Sequence, residues 1–125
     1  MVKMAEVKRV LVVDDERDMV RVISDFLKNF GYEVSFAIAG HSALDIMDKL
    51  PVDAVVSDIS MPGMDGFQLM MEIKNRWPGT PVILMTGLSV KEAEKLAFSK
   101  GADAFIAKPF YMKDLKEVLD KILGK

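Results

Sequence analysis

The sequence predicts an α/β fold, a three-layer (βα)5 sandwich around a central parallel sheet. Two observations carry this. Short apolar runs alternate five times with helical patterns along the 125 residues, the arrangement of parallel strands joined by crossover helices. Several runs, Val10-Leu11-Val12-Val13, Ala54-Val55-Val56 and Ala104-Phe105-Ile106-Ala107, are continuously apolar, as strands buried on both faces are. Charged residues then follow them: Asp14 and Asp15 after the first, Asp58 just after the second, Lys108 after the third.

Strand one is expected at about Arg9–Val13. The helix after it carries Met19, Val22, Ile23, Phe26, Leu27 and Phe30 on one face and closes at Gly31. Strand two, about Glu33–Ile38, alternates Val34, Phe36 and Ile38 with polar or small residues, which suits a place near an edge. A weaker second helix, about Ser42–Leu50, stops at Pro51. Strand three is about Ala54–Ser57. After the loop Asp58–Gly66, a third helix carries Phe67, Met70, Ile73 and Trp77 before Pro78. Strand four, Pro81–Met85, is the most apolar. Ser89-Val90-Lys91-Glu92 is a capping-box pattern that opens a fourth helix, ending at Gly101. Strand five is Ala104–Ala107, and a last helix buries Leu115, Val118, Leu119, Ile122 and Leu123. Crossovers in such folds are short and right-handed, which leaves few topologies. A flavodoxin-like strand order 2-1-3-4-5 fits best. No linker or repeat interrupts the pattern, so residues 1–125 are expected to form one domain, its ordered core at about 7–123, complete where the chain stops.

Half of the chain is apolar, enough for one core, and the formal net charge is −2 with both signs interspersed. Neither nucleic-acid binding nor membrane binding is expected from that balance. The absence of cysteine excludes a disulfide framework, a thiolate metal site and a thiol nucleophile, and it fits a reducing cytoplasm. No apolar stretch approaches the roughly 20 residues of a membrane span. Met1–Glu6 lacks the apolar core of a signal peptide. The ten methionines read as core filler, and His41, in the second loop, as a solvated surface residue.

In an open parallel sheet, residues at the carboxyl ends of strands converge on one crevice where the strand order reverses. With strands one and three adjacent there, Asp14, Asp15 and Asp58 become neighbours. A helix macrodipole explains one or two acids at a helix start. It does not explain two adjacent carboxylates answered by a third across the sheet. Their repulsion calls for an oxygen-preferring divalent cation, Mg2+ first and Mn2+ as a substitute. A lysine ending a buried strand is costly without acid partners, so Lys108 is expected to find them in the same crevice. Carboxylates, cation and ammonium together suit a phosphoryl group. Pro109 disfavours the helical region for Lys108 and defines the loop, while Gly87 after Thr86 is expected to leave room beside that group.

The nonapeptide Asp58-Ile59-Ser60-Met61-Pro62-Gly63-Met64-Asp65-Gly66 resembles the phosphorylation loop of response regulator receiver domains, the switches of two-component signalling. Asp14-Asp15, Thr86, Phe105 and Lys108-Pro109 extend the resemblance over nearly the whole chain. It implies that Asp58 is the phosphoacceptor. It implies a Mg2+ site made by Asp15 directly, Asp14 through a water, Asp58 and the backbone carbonyl of Ser60. Lys108 would pair with the phosphoryl oxygens, the Thr86 hydroxyl would close on them, and Phe105 would turn inward as the aromatic switch. The Lys108–Pro109 bond is often cis in the family. Phe105 stands where Tyr is commoner, so a switch here rests on packing without a hydroxyl. Ser60 and Leu88, two residues beyond Asp58 and Thr86, are implied to tune phosphoryl lifetime, Leu88 by screening water.

The expected function is therefore a phosphorylation-controlled switch. The resemblance implies a phosphohistidine donor on a sensor histidine kinase or histidine phosphotransfer protein, because no glycine-rich ATP loop with a following Lys-Ser/Thr is present. The altered surface would be the fourth helix, fifth strand and last helix, read by a downstream protein or by a linked output domain outside this sequence. The domain would phosphorylate and dephosphorylate itself in the cytoplasm, as a monomer or a phosphorylation-induced dimer, and turn over no external substrate. Three other readings compete. A degenerate receiver serving only as a docking scaffold would usually lack one of the acid, Thr or Lys groups. A phosphatase of haloacid dehalogenase type needs a second acid two residues after its nucleophile, where Ser60 stands. A flavin or nucleotide binder wants small or hydroxylic residues where Asp14-Asp15-Glu16 would repel a phosphate.

Overall fold

The computed structural model describes residues 7–87, 95 and 98–124. Five parallel strands form one sheet in the order β2-β1-β3-β4-β5, as expected. They are β1 (Arg9–Val13), β2 (Glu33–Ala37), β3 (Ala54–Asp58), β4 (Val82–Thr86) and β5 (Ala104–Ala107). Three helices, α1 (Arg17–Asn29), α2 (Gly40–Lys49) and α3 (Gly66–Arg76), join them, and a C-terminal helix covers Met112–Leu123. The expected fourth helix, with its Ser89–Glu92 capping box, lies largely outside the described residues. Its end is visible: Gly101 takes a φ of 101° and donates its N–H to the Phe98 carbonyl.

Alternation along each strand divides the core between the two faces of the sheet. Leu11, Val13, Val55 and Leu84 pack with Ala43, Leu44 and Met47 of α2 and Leu69, Met70 and Ile73 of α3. Val10, Val12, Val56, Ile83 and Ile106 pack with Ile23 and Leu27 of α1 and Leu115 and Leu119 of the C-terminal helix. β1, β3 and β4 are covered on both faces, which is why their residues are uniformly apolar until the strand ends.

Two expectations about apolar faces are corrected. Val22 and Phe30 were assigned to the inner face of α1, yet they are 50 % and 47 % exposed. The buried stripe is Val20, Ile23, Ser24 and Leu27, spaced by three and four residues; Val22 lies one residue, about 100° of rotation, off that stripe. Phe30 instead stacks on Phe26 with ring centroids 4.9 Å apart and carries the Lys116 ammonium over its face. Phe36 of the edge strand β2 is 56 % exposed. His41 falls in the first turn of α2, which begins two residues earlier than expected, and it is exposed as foreseen.

At the amino end of the sheet, two aspartates clamp strand starts. The Asp53 N–H donates to the Arg9 carbonyl at 2.8 Å, while its carboxylate accepts the Arg9 N–H at 2.7 Å. Asp103 repeats this on β4, donating to the Val82 carbonyl at 2.9 Å and accepting the Val82 N–H at 2.8 Å. The Lys74 ammonium completes the second clamp, 2.6 Å from the Asp103 carboxylate.

Candidate functional site

At the carboxyl end, the pairing of β1 with β3 runs to Val13 opposite Ser57, so the next residues, Asp14 and Asp58, leave the sheet side by side. Asp14, Asp15 and Asp58 each offer a carboxylate oxygen, all within 4.8 Å of one another. Asp14 is fully buried and Asp58 nearly so, whereas Asp15 is exposed. Asp14 Oδ1 accepts the Glu16 N–H at 3.0 Å, at the turn into α1. Its Oδ2 accepts from Lys108 Nζ at 2.9 Å, and that same ammonium stands 3.4 Å from Asp58 Oδ2.

Lys108 is aimed by its backbone. Its N–H donates to the Thr86 carbonyl at 2.7 Å, extending the β4–β5 ladder one residue past Ala107. The bond to Pro109 is cis. Thr86, at the end of β4, is buried. The loop after Asp58 is drawn tight by Gly66: its N–H donates to the Ile59 carbonyl at 2.8 Å, and a Cβ there would come within 2.3 Å of the Asp58 carbonyl oxygen. Only glycine lets the start of α3 approach so closely. Asp65 caps that helix, accepting the Gln68 N–H while the Gln68 side chain accepts the Asp65 N–H.

Burial pushes the Asp58 carboxyl above the usual range, and the Asp14 charge pushes it further. Lys108 and the Ser60 N–H pull the other way without prevailing. For Lys108, burial favours deprotonation, but the hydrogen bond and charge of Asp14, then those of Asp58, outweigh it and raise its pKa. One ammonium thus pairs with two of the three carboxylates, and negative charge is left over. Carboxylate oxygens gathered within a few ångströms, one of them on an exposed residue, are the donor set that a small hard cation prefers.

Within the cluster the carboxylates are not equivalent. Asp14, not Asp58, is the nearer partner of Lys108, because Asp14 is the residue sunk furthest into the crevice. Ser60 sits two residues after Asp58, exposed, with its N–H on the Asp58 carboxylate. Phe105 is half-buried against the α2–α3 side of the core. Beside Gly87 the protein leaves space: a Cβ there would meet only Lys108 Cβ, at an ordinary 3.9 Å. Leu88 lies outside the described residues. Asp65-Gly66 is itself a turn or cap signal, and Gln68, three residues after Asp65, completes the box.

A profile of the response regulator receiver domain matches residues 10–120. The chain belongs to that family. Receiver domains are the phosphoacceptor modules of two-component signalling, interact with histidine kinases, generally bind Mg2+ at an acidic pocket and are not substrate-turnover enzymes. This receiver is 35 % identical over 115 residues to the transcriptional regulatory protein ZraR of Salmonella typhimurium, covering 92 % of this chain and 26 % of that one. It is 34 % identical over 110 residues to the sensor histidine kinase RcsC of Salmonella typhi, covering 88 % and 12 %. The chain thus spans about a quarter of one relative and an eighth of the other. Among solved structures, the Vibrio cholerae chemotaxis protein CheY4 superposes with a TM-score of 0.89 at 30 % identity, over 94 % of this chain and 100 % of that one. No helix among the described residues is long and apolar enough to cross a membrane.

Proposed function

We propose that residues 1–125 act as one receiver unit in which Asp58 accepts a phosphoryl group from a phosphohistidine. The observation that carries this is the placement of the Lys108 ammonium between two buried carboxylates, 2.9 Å from Asp14 and 3.4 Å from Asp58. A carboxylate repels an incoming phosphoryl anion, so charge of the opposite sign must already be in place. Lys108 supplies part of it. Asp14, Asp15, Asp58 and the Ser60 carbonyl would hold Mg2+, which supplies the remaining positive charge on the phosphoryl oxygens.

In the transfer, an Asp58 carboxylate oxygen forms a bond to phosphorus as the N–P bond to the donor imidazole breaks. The imidazole nitrogen leaves with the electron pair. Asp14 keeps Lys108 charged and aimed throughout. Thr86, at the end of β4, would then bring its hydroxyl to the phosphoryl oxygens, and Phe105 on the neighbouring β5 would turn into the space released. The surface that changes includes β5 and the C-terminal helix. Hydrolysis of the acyl phosphate resets the switch.

The donor would be a sensor histidine kinase or a histidine phosphotransfer protein, and the cytoplasm is the compartment where such donors act. Readout would fall to a downstream protein or a linked output domain. The test is intact mass after incubation with acetyl phosphate and Mg2+, beside Asp58→Asn and an EDTA control. One added phosphoryl group, absent from both controls, is expected. An adduct that persists in Asp58→Asn would move the acceptor elsewhere. No adduct, together with no response to beryllofluoride and Mg2+, would favour the docking scaffold.

A further inference from the structure

The outer edge of β2 and the groove beside it lie apart from the acidic cluster. β2 ends the sheet, and no described strand pairs with its outer side. Glu33, Ser35 and Ala37 lie in register with Arg9, Leu11 and Val13 of β1, and the Glu33 N–H and Ala37 carbonyl bond inward to Lys8 and Asp14. The alternating groups of Val34 and Phe36 therefore face outward. An unpaired edge is a ready template for another extended segment, and proteins usually blunt it with charge, proline or a bulge. Here charge is confined to Glu33, which is paired with Arg9, and the edge carries Phe36, 56 % exposed.

A groove of about 300 Å3 lies between this edge and α1, lined by Val20, Ser24, Phe36 and Ile38 with Arg17, Arg21 and Lys28 beside them. Val20, Phe36 and Ile38 form its apolar part. Ser24 is 3 % exposed, and its hydroxyl has no hydrogen-bond partner among the described residues. The three cations recur at i, i+4 and i+11, on the side of α1 that faces β2. Several basic residues elsewhere are paired: Arg9 with Glu33, Lys74 with Asp103, Arg76 with Glu72, Lys116 with Asp120. None of the ion pairs among the described residues uses Arg17, Arg21 or Lys28. Asp25 is the single acid lining the groove. In a chain of net charge −2, this is a local concentration of unpaired positive charge beside an exposed aromatic.

We propose that the β2 edge and the α1 groove bind an extended acidic segment of a partner protein, added to the sheet as a sixth strand. Main-chain hydrogen bonds to Val34 and Phe36 would supply register, and apolar side chains at alternate positions would fill the groove over Phe36 and Ile38. Acidic side chains would meet Arg17, Arg21 and Lys28. Charge selects this occupant over a second copy of the chain, since two copies joined edge to edge would bring the same cations together. The surface lies on the opposite flank of α1 from the hollow formed by Met19, Phe110 and Met112 beside Lys108. It does not involve Asp58, so it stands or fails independently of the phosphoacceptor reading.

The test is a selection of random peptides displayed on phage against the immobilised protein, followed by titration of the enriched peptide by NMR. Enriched sequences should alternate apolar and acidic residues, and their binding should shift amide resonances of β2 and α1. Affinity should fall at least tenfold in an Arg17→Glu/Arg21→Glu variant and in Phe36→Ser, and stay unchanged in Asp58→Asn. Both altered surfaces are exposed, so folding is expected to survive; a circular dichroism melt checks it. Enrichment of peptides with no acidic bias, equal binding by the charge-reversed variant, or no enrichment at all would overturn the proposal. So would adsorption to phosphatidylcholine–phosphatidylserine vesicles that the same variants abolish, which would make the patch a lipid surface.

Discussion

The two ends of the sheet use the same residue type under opposite electrostatic conditions. At the amino end, Asp53 and Asp103 each accept a backbone N–H and sit where their charge is wanted, one of them with Lys74 besides. At the carboxyl end, Asp14, Asp15 and Asp58 crowd within 4.8 Å around one lysine. The first arrangement is a finished joint. The second is held together by the core beneath it, with buried β1, β3 and β4 leaving the carboxylates nowhere else to go. A fold can store unfavourable charge at one end because the rest of it is well satisfied. The comparison predicts that removing an acid lowers stability at one end and raises it at the other.

The largest expected effect is on phosphorylation. Lys108→Ala should cut the rate of labelling by acetyl phosphate by roughly 100-fold or more, since a preorganised charge at the transferring group contributes that order of rate. Asp53→Ala should leave the rate near wild type, which a time course of intact mass can check on both variants. The stability effects are smaller. Asp53→Ala orphans the Arg9 N–H and should cost about 1–3 kcal/mol in urea unfolding.

Asp58→Asn should move the other way, raising Tm at neutral pH without divalent cations by about 3–5 °C. The sign follows from the raised pKa of Asp58: protonation is easier in the folded state than in the unfolded one. The Asp58 contribution is therefore fully present below the unfolded value of 3.8 and is lost as pH rises through the folded value. The advantage of Asp58→Asn should vanish in melts near pH 3 and grow toward pH 7. An advantage that grew toward acid would reverse the account.

The smallest effect concerns the joint behind the site. The Tyr32 hydroxyl donates to Asp120 of the C-terminal helix at 2.6 Å, and Lys116 holds the other oxygen of that carboxylate. Tyr32→Phe should cost about 0.5–1.5 kcal/mol in urea unfolding. Burial, then the hydrogen bond and charge of Asp120, push the Tyr32 pKa upward. That contribution is present below pH 10 and lost as pH rises through the folded value, so the variant should match wild type only in strong alkali.

The crowded end was far more legible in the sequence than the satisfied one. Asp14, Asp15, Asp58 and Lys108 announce themselves because charge directly after an apolar run contradicts burial, and the topology then fixes where each strand ends. Asp53 and Asp103 announce nothing. Each precedes a strand as an ordinary loop aspartate, and its role depends on a neighbouring strand's N–H that only tertiary structure brings near. Helical faces failed for a related reason. Val22 and Phe30 are apolar by composition, yet their exposure depends on the rotation of α1 about its axis. The relative depth of Asp14 and Asp58 in the crevice, which decides the nearer partner of Lys108, is likewise a matter of three-dimensional packing.

The most direct test of the comparison is a set of thermal melts at pH 7 with and without Mg2+ on wild type, Asp58→Asn, Asp15→Asn and Asp53→Ala. If the carboxyl-end acids are a charge excess awaiting a divalent cation, Mg2+ raises the Tm of wild type and of Asp53→Ala by similar amounts. It raises the two carboxyl-end variants much less. An equal rise in all four proteins, or none in wild type, would contradict the claim that this cluster holds the metal.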